Sequence, residues 1–207
     1  MYIDVLLLPS SYQADNKPMK PLIKTVLILS LILLFLQFFQ DTLVFKRDNI
    51  NQGEVWRLFS GNLVHSNFPH LALNVTGLVI CGFLFFDYIS PQKFLVSLVF
   101  LSLCVGFGIY FFSPALMWYA GISGALYGLF IVGGFFAIIN KDFVTGIPLV
   151  VFIPIKIAWD LFHGGNQSSA ELIGVPVATE AHLYGMLGAF TIGLFLLLQW
   201  RRQSKNV

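Results

Sequence analysis

A serine hydroxyl is a weak nucleophile until a base stands within about 2.6–3.2 Å of it. The stretch Trp118-Tyr-Ala-Gly-Ile-Ser-Gly-Ala-Leu-Tyr-Gly128 sets Ser123 among glycines at the head of an apolar run. On its own that arrangement reads two ways, because small residues and Ser also mark the contacts where membrane helices approach closely. The candidate base is His182, inside another apolar run. Bringing the two together needs backbones that nearly touch. Gly124 and Gly128 form a small-xxx-small stripe beside Ser123, and Gly185 lies about one helical turn from His182 on the same face. Tyr127, four residues after Ser123, shares its face and can stack against the imidazole; the alternative is an ordinary core aromatic. Acyl transfer also needs donors aimed at an oxyanion. His70 and Asn74 are spaced i, i+4 and point the same way, and the backbone N–H of Ser123 near a helix start is a third donor. Gly121 opens the Gly-Ile-Ser-Gly turn and is grouped with them as support.

The elements that must carry these residues are membrane helices. The chain has 207 residues, 57% hydrophobic and 11% charged, against roughly 25% charged in soluble domains. A net charge of +2, with the cations flanking apolar runs, gives no nucleic-acid surface. The two cysteines, Cys81 and Cys104, lie inside apolar runs and read as small buried residues. No zinc-spaced Cys/His set is present, and neither a metal nor a cofactor is expected. The first apolar run is too long for a cleaved signal sequence and is expected to remain as an anchor. Six candidate spans lie near 22–39, 70–88, 93–112, 122–140, 143–162 and 181–200, and 1–207 reads as one all-α membrane domain. Lys17, Lys20, Lys24, Lys93, Lys141, Arg201, Arg202 and Lys205 then share one side, while the other holds Lys46, Arg47 and Arg57 offset by Asp41, Asp48 and Glu54, which predicts cytoplasmic termini. His70 with Asn74, Ser123 with Tyr127, and His182 fall at one depth near the opposite side. Polar side chains inside a bilayer are costly and mark functional sites. A transporter would instead group them at the midplane.

His70-Leu-Ala-Leu-Asn74, Gly121-Ile-Ser-Gly124 with Tyr127, and Ala181-His-Leu-Tyr-Gly185 resemble, in order, the three signature motifs of the rhomboid intramembrane serine proteases. Trp56-Arg57 is similar to the Trp-Arg pair of their first external loop, and His65 stands at a family-typical offset before His70. The resemblance covers about residues 22–200. It implies a six-helix rhomboid-like bundle with Ser123 and His182 as a catalytic dyad lacking an Asp, and with His70 and Asn74 holding the oxyanion. One departure is Ala189, where the sixth-span motif usually carries a further Gly.

A narrower resemblance is to the bacterial rhombosortase branch, through Lys156-Ile-Ala-Trp-Asp160, Gly174-Val-Pro-Val and Glu180-Ala-His-Leu-Tyr-Gly185. It implies an inner-membrane enzyme whose site opens to the periplasm. The implied partners are membrane-anchored proteins with a C-terminal Gly-Gly and transmembrane tail, cut with or without transfer to a small amine. Lys156 and Asp160 are one turn apart and can pair, either as a substrate contact or as a self-neutralising structural pair. Pro148 and Pro154 are expected to bend the fifth span. Arg57 is expected to anchor the first loop, through carbonyls or Glu54. The alternatives are a generalist rhomboid protease and a non-catalytic rhomboid-like protein that binds membrane helices.

Overall fold

The computed structural model describes residues 20–165 and 167–204; Lys17 and Lys205 lie outside them. The helices are α1 (Pro21–Leu36), α2 (Gln40–Leu43), α3 (Arg47–Asn51), α4 (Arg57–Ser60), α5 (Phe68–Phe85), α6 (Pro91–Phe112), α7 (Ser123–Ile139), α8 (Phe143–His163), α9 (Gln167–Ile173) and α10 (Thr179–Ser204). Two short strands, β1 (Phe45–Lys46) and β2 (Trp118–Tyr119), pair antiparallel with Phe45 opposite Tyr119. This is a mostly helical, multi-pass membrane protein. Among the described residues, five helices are long and apolar enough to cross a membrane: α1 with its continuation to Leu43, α5, α6, α8 and α10. The expected fourth span, α7, is apolar but has only 17 residues. Both of its ends are set by the backbone. Gly121 at φ 123° turns the chain in just before Ser123, and Lys141 at φ 67° turns it out.

α7 is the central post. Twelve of its side chains or glycines are buried, from Gly124 to Ala137, and it packs against α10, α8, α6 and α5. α8 runs unbroken through Pro148 and Pro154 and leaves most of its apolar surface exposed, as a lipid-facing helix does. Cys81 and Cys104 are free thiols.

Contacts between termini define the two ends of the bundle. Lys20 at the start of α1 pairs with Asp87 after α5 at 2.9 Å. The Tyr88 hydroxyl donates to Asp142, the cap of α8, at 2.6 Å. Lys93 in the first turn of α6 lies over the ring of Phe136, near the end of α7. One end therefore gathers the starts of α1, α6 and α8 with the finishes of α5 and α7. Ser123, His70 and His182 all sit in first turns of their helices at the other end.

The long first connection is built rather than loose. Arg57 is 5% exposed and donates to the carbonyls of Asp41 and Val44 and to Glu54. Arg47 covers the end of α6, donating to the carbonyls of Ile109, Tyr110, Ser113 and Leu116. The last carbonyls of a helix have no partner within it, and a guanidinium presents five donors in a fixed fork.

Candidate functional site

Ser123 begins α7, where the first N–H groups have no intrahelical acceptor. Its Oγ lies 3.0 Å from Nε2 of His182, in the first turn of α10. The approach is possible because α7 and α10 touch backbone to backbone. A Cβ on Gly185 would lie 1.9 Å from the Gly124 carbonyl oxygen, and one on Gly124 would lie 2.6 Å from that of Ala181. The His182 ring is 5% exposed and stands 4.4 Å from the Tyr127 ring, tilted by 38°. Its Nδ1 is buried with no hydrogen-bond partner among the described residues, so no carboxylate of theirs completes a triad.

Gly121 sits between Ser123 and the two polar residues of α5. A Cβ there would lie 2.7 Å from Cε1 and 2.9 Å from Nε2 of His70, and 3.5 Å from Nδ2 of Asn74. The left-handed backbone and this contact both require glycine. Nδ2 of Asn74 is buried and has no partner among the described residues, an N–H donor left free in the hollow beside Ser123. The loop bearing Gly121 is held from three directions. Its N–H donates to the Gly61 carbonyl at 3.1 Å, its carbonyl accepts from the Tyr119 hydroxyl at 2.5 Å, and β2 just before it pairs with β1.

A cavity of about 430 Å³ joins these groups, lined by His70, Asn74, Ser123, Tyr127, His182, the Lys156–Asp160 pair and Val175 to Val177. The Lys156 ammonium donates to Asp160, which is buried, and lies 5.2 Å from the centre of the Tyr127 ring. The pair is thus formed and faces the cavity that holds Ser123.

His65 is fully buried, edge-on to His70 at 5.1 Å, and neither of its ring nitrogens has a partner among the described residues. Burial, and then the neighbouring His70, hold its pKa down to about 3. In the first loop the Arg57 hydrogen bond, with a second from Asn49, keeps Glu54 below the usual carboxylate range. His163 stacks on Trp159 and takes no place among the site residues.

All eight candidates read from the sequence, Gly121, Ser123, Tyr127, His182, His70, Asn74, Lys156 and Asp160, meet at this end of the bundle. Others came to light only in three dimensions. Tyr119 is 4% exposed and braces the Gly121 carbonyl. Ser66 and Asn67 tie α5 to α9, and no local pattern marked them.

An alcohol and an imidazole in hydrogen-bond contact across two tightly packed apolar helices define a membrane protein with a partly buried Ser–His pair. The Rhomboid domain model matches residues 52–199, and the chain belongs to the rhomboid family, whose members are generally intramembrane serine proteases. Over 187 residues, 86% of this chain and 89% of the relative, it is 25% identical to a Bacillus subtilis (strain 168) protein described as "Putative rhomboid protease YdcA".

Proposed function

We propose that the chain is a single-domain intramembrane serine endopeptidase. Ser123 is its nucleophile, His182 its general base and acid, and Asn74, His70 and the Ser123 amide its oxyanion donors, with Gly121 and Tyr127 in support. The observation that carries this reading is the 3.0 Å contact between Ser123 Oγ and His182 Nε2. Neutral His182 holds its proton on Nδ1 and accepts the hydroxyl proton at Nε2 as Ser123 attacks the scissile carbonyl. The carbonyl oxygen takes up the negative charge among the donors. When the C–N bond breaks, His182 returns the proton to the leaving amine, and an ester on Ser123 remains. Water attacks that ester, giving a proton to His182; the bond to Ser123 Oγ breaks, His182 returns the proton to that oxygen, and the new carboxylic acid leaves and ionises in water. A small amine in place of water yields an amide.

α7, fourth in chain order, completes the set of six spans although it is short, starting below the surface so that its first residue lies in a wet hollow. The cationic end of the bundle faces the cytoplasm of a bacterial inner membrane, and the hollow opens to the periplasm.

The substrates are membrane-anchored proteins whose scissile bond sits beside a transmembrane helix. Within that class the rhombosortase reading, removal of a C-terminal Gly-Gly and transmembrane tail, is favoured by one observation. The Lys156–Asp160 pair and Val175 to Val177, which carry the narrower resemblance, line the same hollow as Ser123. A generalist rhomboid protease is the second reading, consistent with the description of the Bacillus relative.

The test is cleavage in proteoliposomes of two single-span proteins, one ending in a Gly-Gly tail and one not, with mass spectrometry of the new ends. Ser123→Ala and His182→Ala are each expected to abolish cleavage while the protein remains in the membrane. Full cleavage by either variant contradicts the dyad. Cleavage of both substrates at equal rates contradicts the rhombosortase reading alone.

A further inference from the structure

The end of α9 is docked onto the start of α5 through two carbonyls that a helix terminus leaves without partners. Asn67, whose Oδ1 caps α5 by accepting from the His70 N–H at 2.8 Å, donates from Nδ2 to the Leu172 carbonyl at 3.2 Å. Ser66 donates its hydroxyl to the Ile173 carbonyl at 2.7 Å. The same Ser66 oxygen lies 3.1 Å from Nδ1 of His70.

A hydroxyl has one hydrogen, and a carbonyl can only accept. With that hydrogen committed to Ile173, the Ser66 oxygen can only accept from Nδ1. Neutral His70 then carries its proton on Nδ1, and Nε2, the nitrogen beside Gly121, presents a lone pair to the cavity. In this state His70 has no ring N–H to offer an oxyanion.

We propose that Ser66 is a positioning residue that sets the tautomer of His70 according to whether α9 is docked. While Ile173 holds the Ser66 hydrogen, His70 is Nδ1–H and the oxyanion pocket lacks one donor. When the Ile173 carbonyl withdraws, the Ser66 hydroxyl turns and donates to Nδ1. The ring gives up its Nδ1 proton to water and takes one at Nε2, so its charge is unchanged and Nε2–H now faces the cavity. α9 borders that cavity through Ser169 and Ile173, so moving it aside both widens the hollow and completes the donor set. The tautomer assignment stands on the hydrogen bonds alone; its catalytic meaning rests on the protease reading.

The experiment is nitrogen NMR of the full-length protein in micelles, with all four histidines ¹⁵N-labelled and the His70 signals assigned by their loss in His70→Gln. Wild type at neutral pH is expected to show His70 as Nδ1–H. Ser66→Ala is expected to show mainly Nε2–H, while Ser66→Thr, which keeps a hydroxyl, retains Nδ1–H. In the cleavage assay kcat of Ser66→Ala stays at or above that of wild type. A wild-type His70 that is Nε2–H or doubly protonated overturns the proposal. So does a Ser66→Ala variant that keeps Nδ1–H, or one that loses kcat with the tautomer changed. A wild-type protein with the expected tautomer and no proteolytic activity removes the protease reading and leaves the tautomer assignment in place.

Discussion

Asn74 holds a buried amide whose Nδ2 hydrogens satisfy nothing in the resting site. A buried donor without a partner costs free energy, and the arrangement makes sense where an acceptor arrives during reaction. Asn74→Ala is therefore expected to lower kcat by about 10²–10³-fold, the usual loss on deleting one oxyanion donor. Its thermal stability should change little, because no resting hydrogen bond from Nδ2 is removed. A variant that melts far below wild type while retaining kcat would make Asn74 a structural residue. At this scale the sequence was informative where chemistry is tied to residue type. His70 and Asn74 share a helical face, and Ser123 and Tyr127 do too, so spacing alone grouped them. Tyr119, Ser66 and Asn67 escaped because their partners are backbone carbonyls of residues they hold in place: Gly121, Leu172 and Ile173. Backbone acceptors leave no trace in a sequence.

The elements position the site by bare contact. α7 and α10 meet where Gly124, Gly128 and Gly185 remove side chains from the interface, and the 3.0 Å Ser–His contact depends on that closeness. Dispersion, not a hydrophobic drive, holds helices together in lipid, so small residues at the crossing are what permit it. A Cβ on Gly185 would collide with a backbone oxygen at 1.9 Å, which cannot swing aside as a side chain can. Gly185→Ala is expected to destabilise the bundle by about 1–3 kcal/mol, the typical cost of overpacking, read as a lower melting temperature in detergent. The separated helices should also lose Ser123 reactivity. Unchanged melting and full activity would mean the helices do not meet there. The glycine stripe was readable as a close-approach signal, and the apolar runs gave the long helices to within a few residues. The first connection was not readable. α2, α3, α4 and the β1–β2 pair are too short for any periodicity, and their order comes from Arg57 and Arg47 gathering distant carbonyls. α7 stops short of a membrane-length helix because turns at Gly121 and Lys141 bound it, and apolarity alone does not reveal such turns.

For the whole molecule, Lys20 and Lys93 lie at the end opposite Ser123 and His182, while Arg47, Arg57 and Lys156 on the site side are each engaged with carbonyls or a carboxylate. The Lys20–Asp87, Tyr88–Asp142 and Lys93–Phe136 contacts gather one end, and the proposal sets that end in the cytoplasm. A cysteine at exposed Gln52 should react with a membrane-impermeant maleimide in intact spheroplasts, while one at exposed Lys93 should react only after lysis, above the background of Cys81 and Cys104. Reversed labelling would invert the orientation. The grouping of Lys20 and Lys93 at one end was legible in the charge pattern, since positive residues resist translocation wherever the helices pack. The docking of α9 over the hollow was not, because it depends on contacts about a hundred residues apart in the chain.

The central claim is that His182 activates Ser123. It is tested most directly by treating the membrane-reconstituted protein with a fluorophosphonate and mapping the adduct by mass spectrometry. The account predicts a single adduct on Ser123, lost in Ser123→Ala and strongly reduced in His182→Ala. An unlabelled Ser123 in a protein that still cleaves substrate, or labelling undiminished without His182, would contradict it.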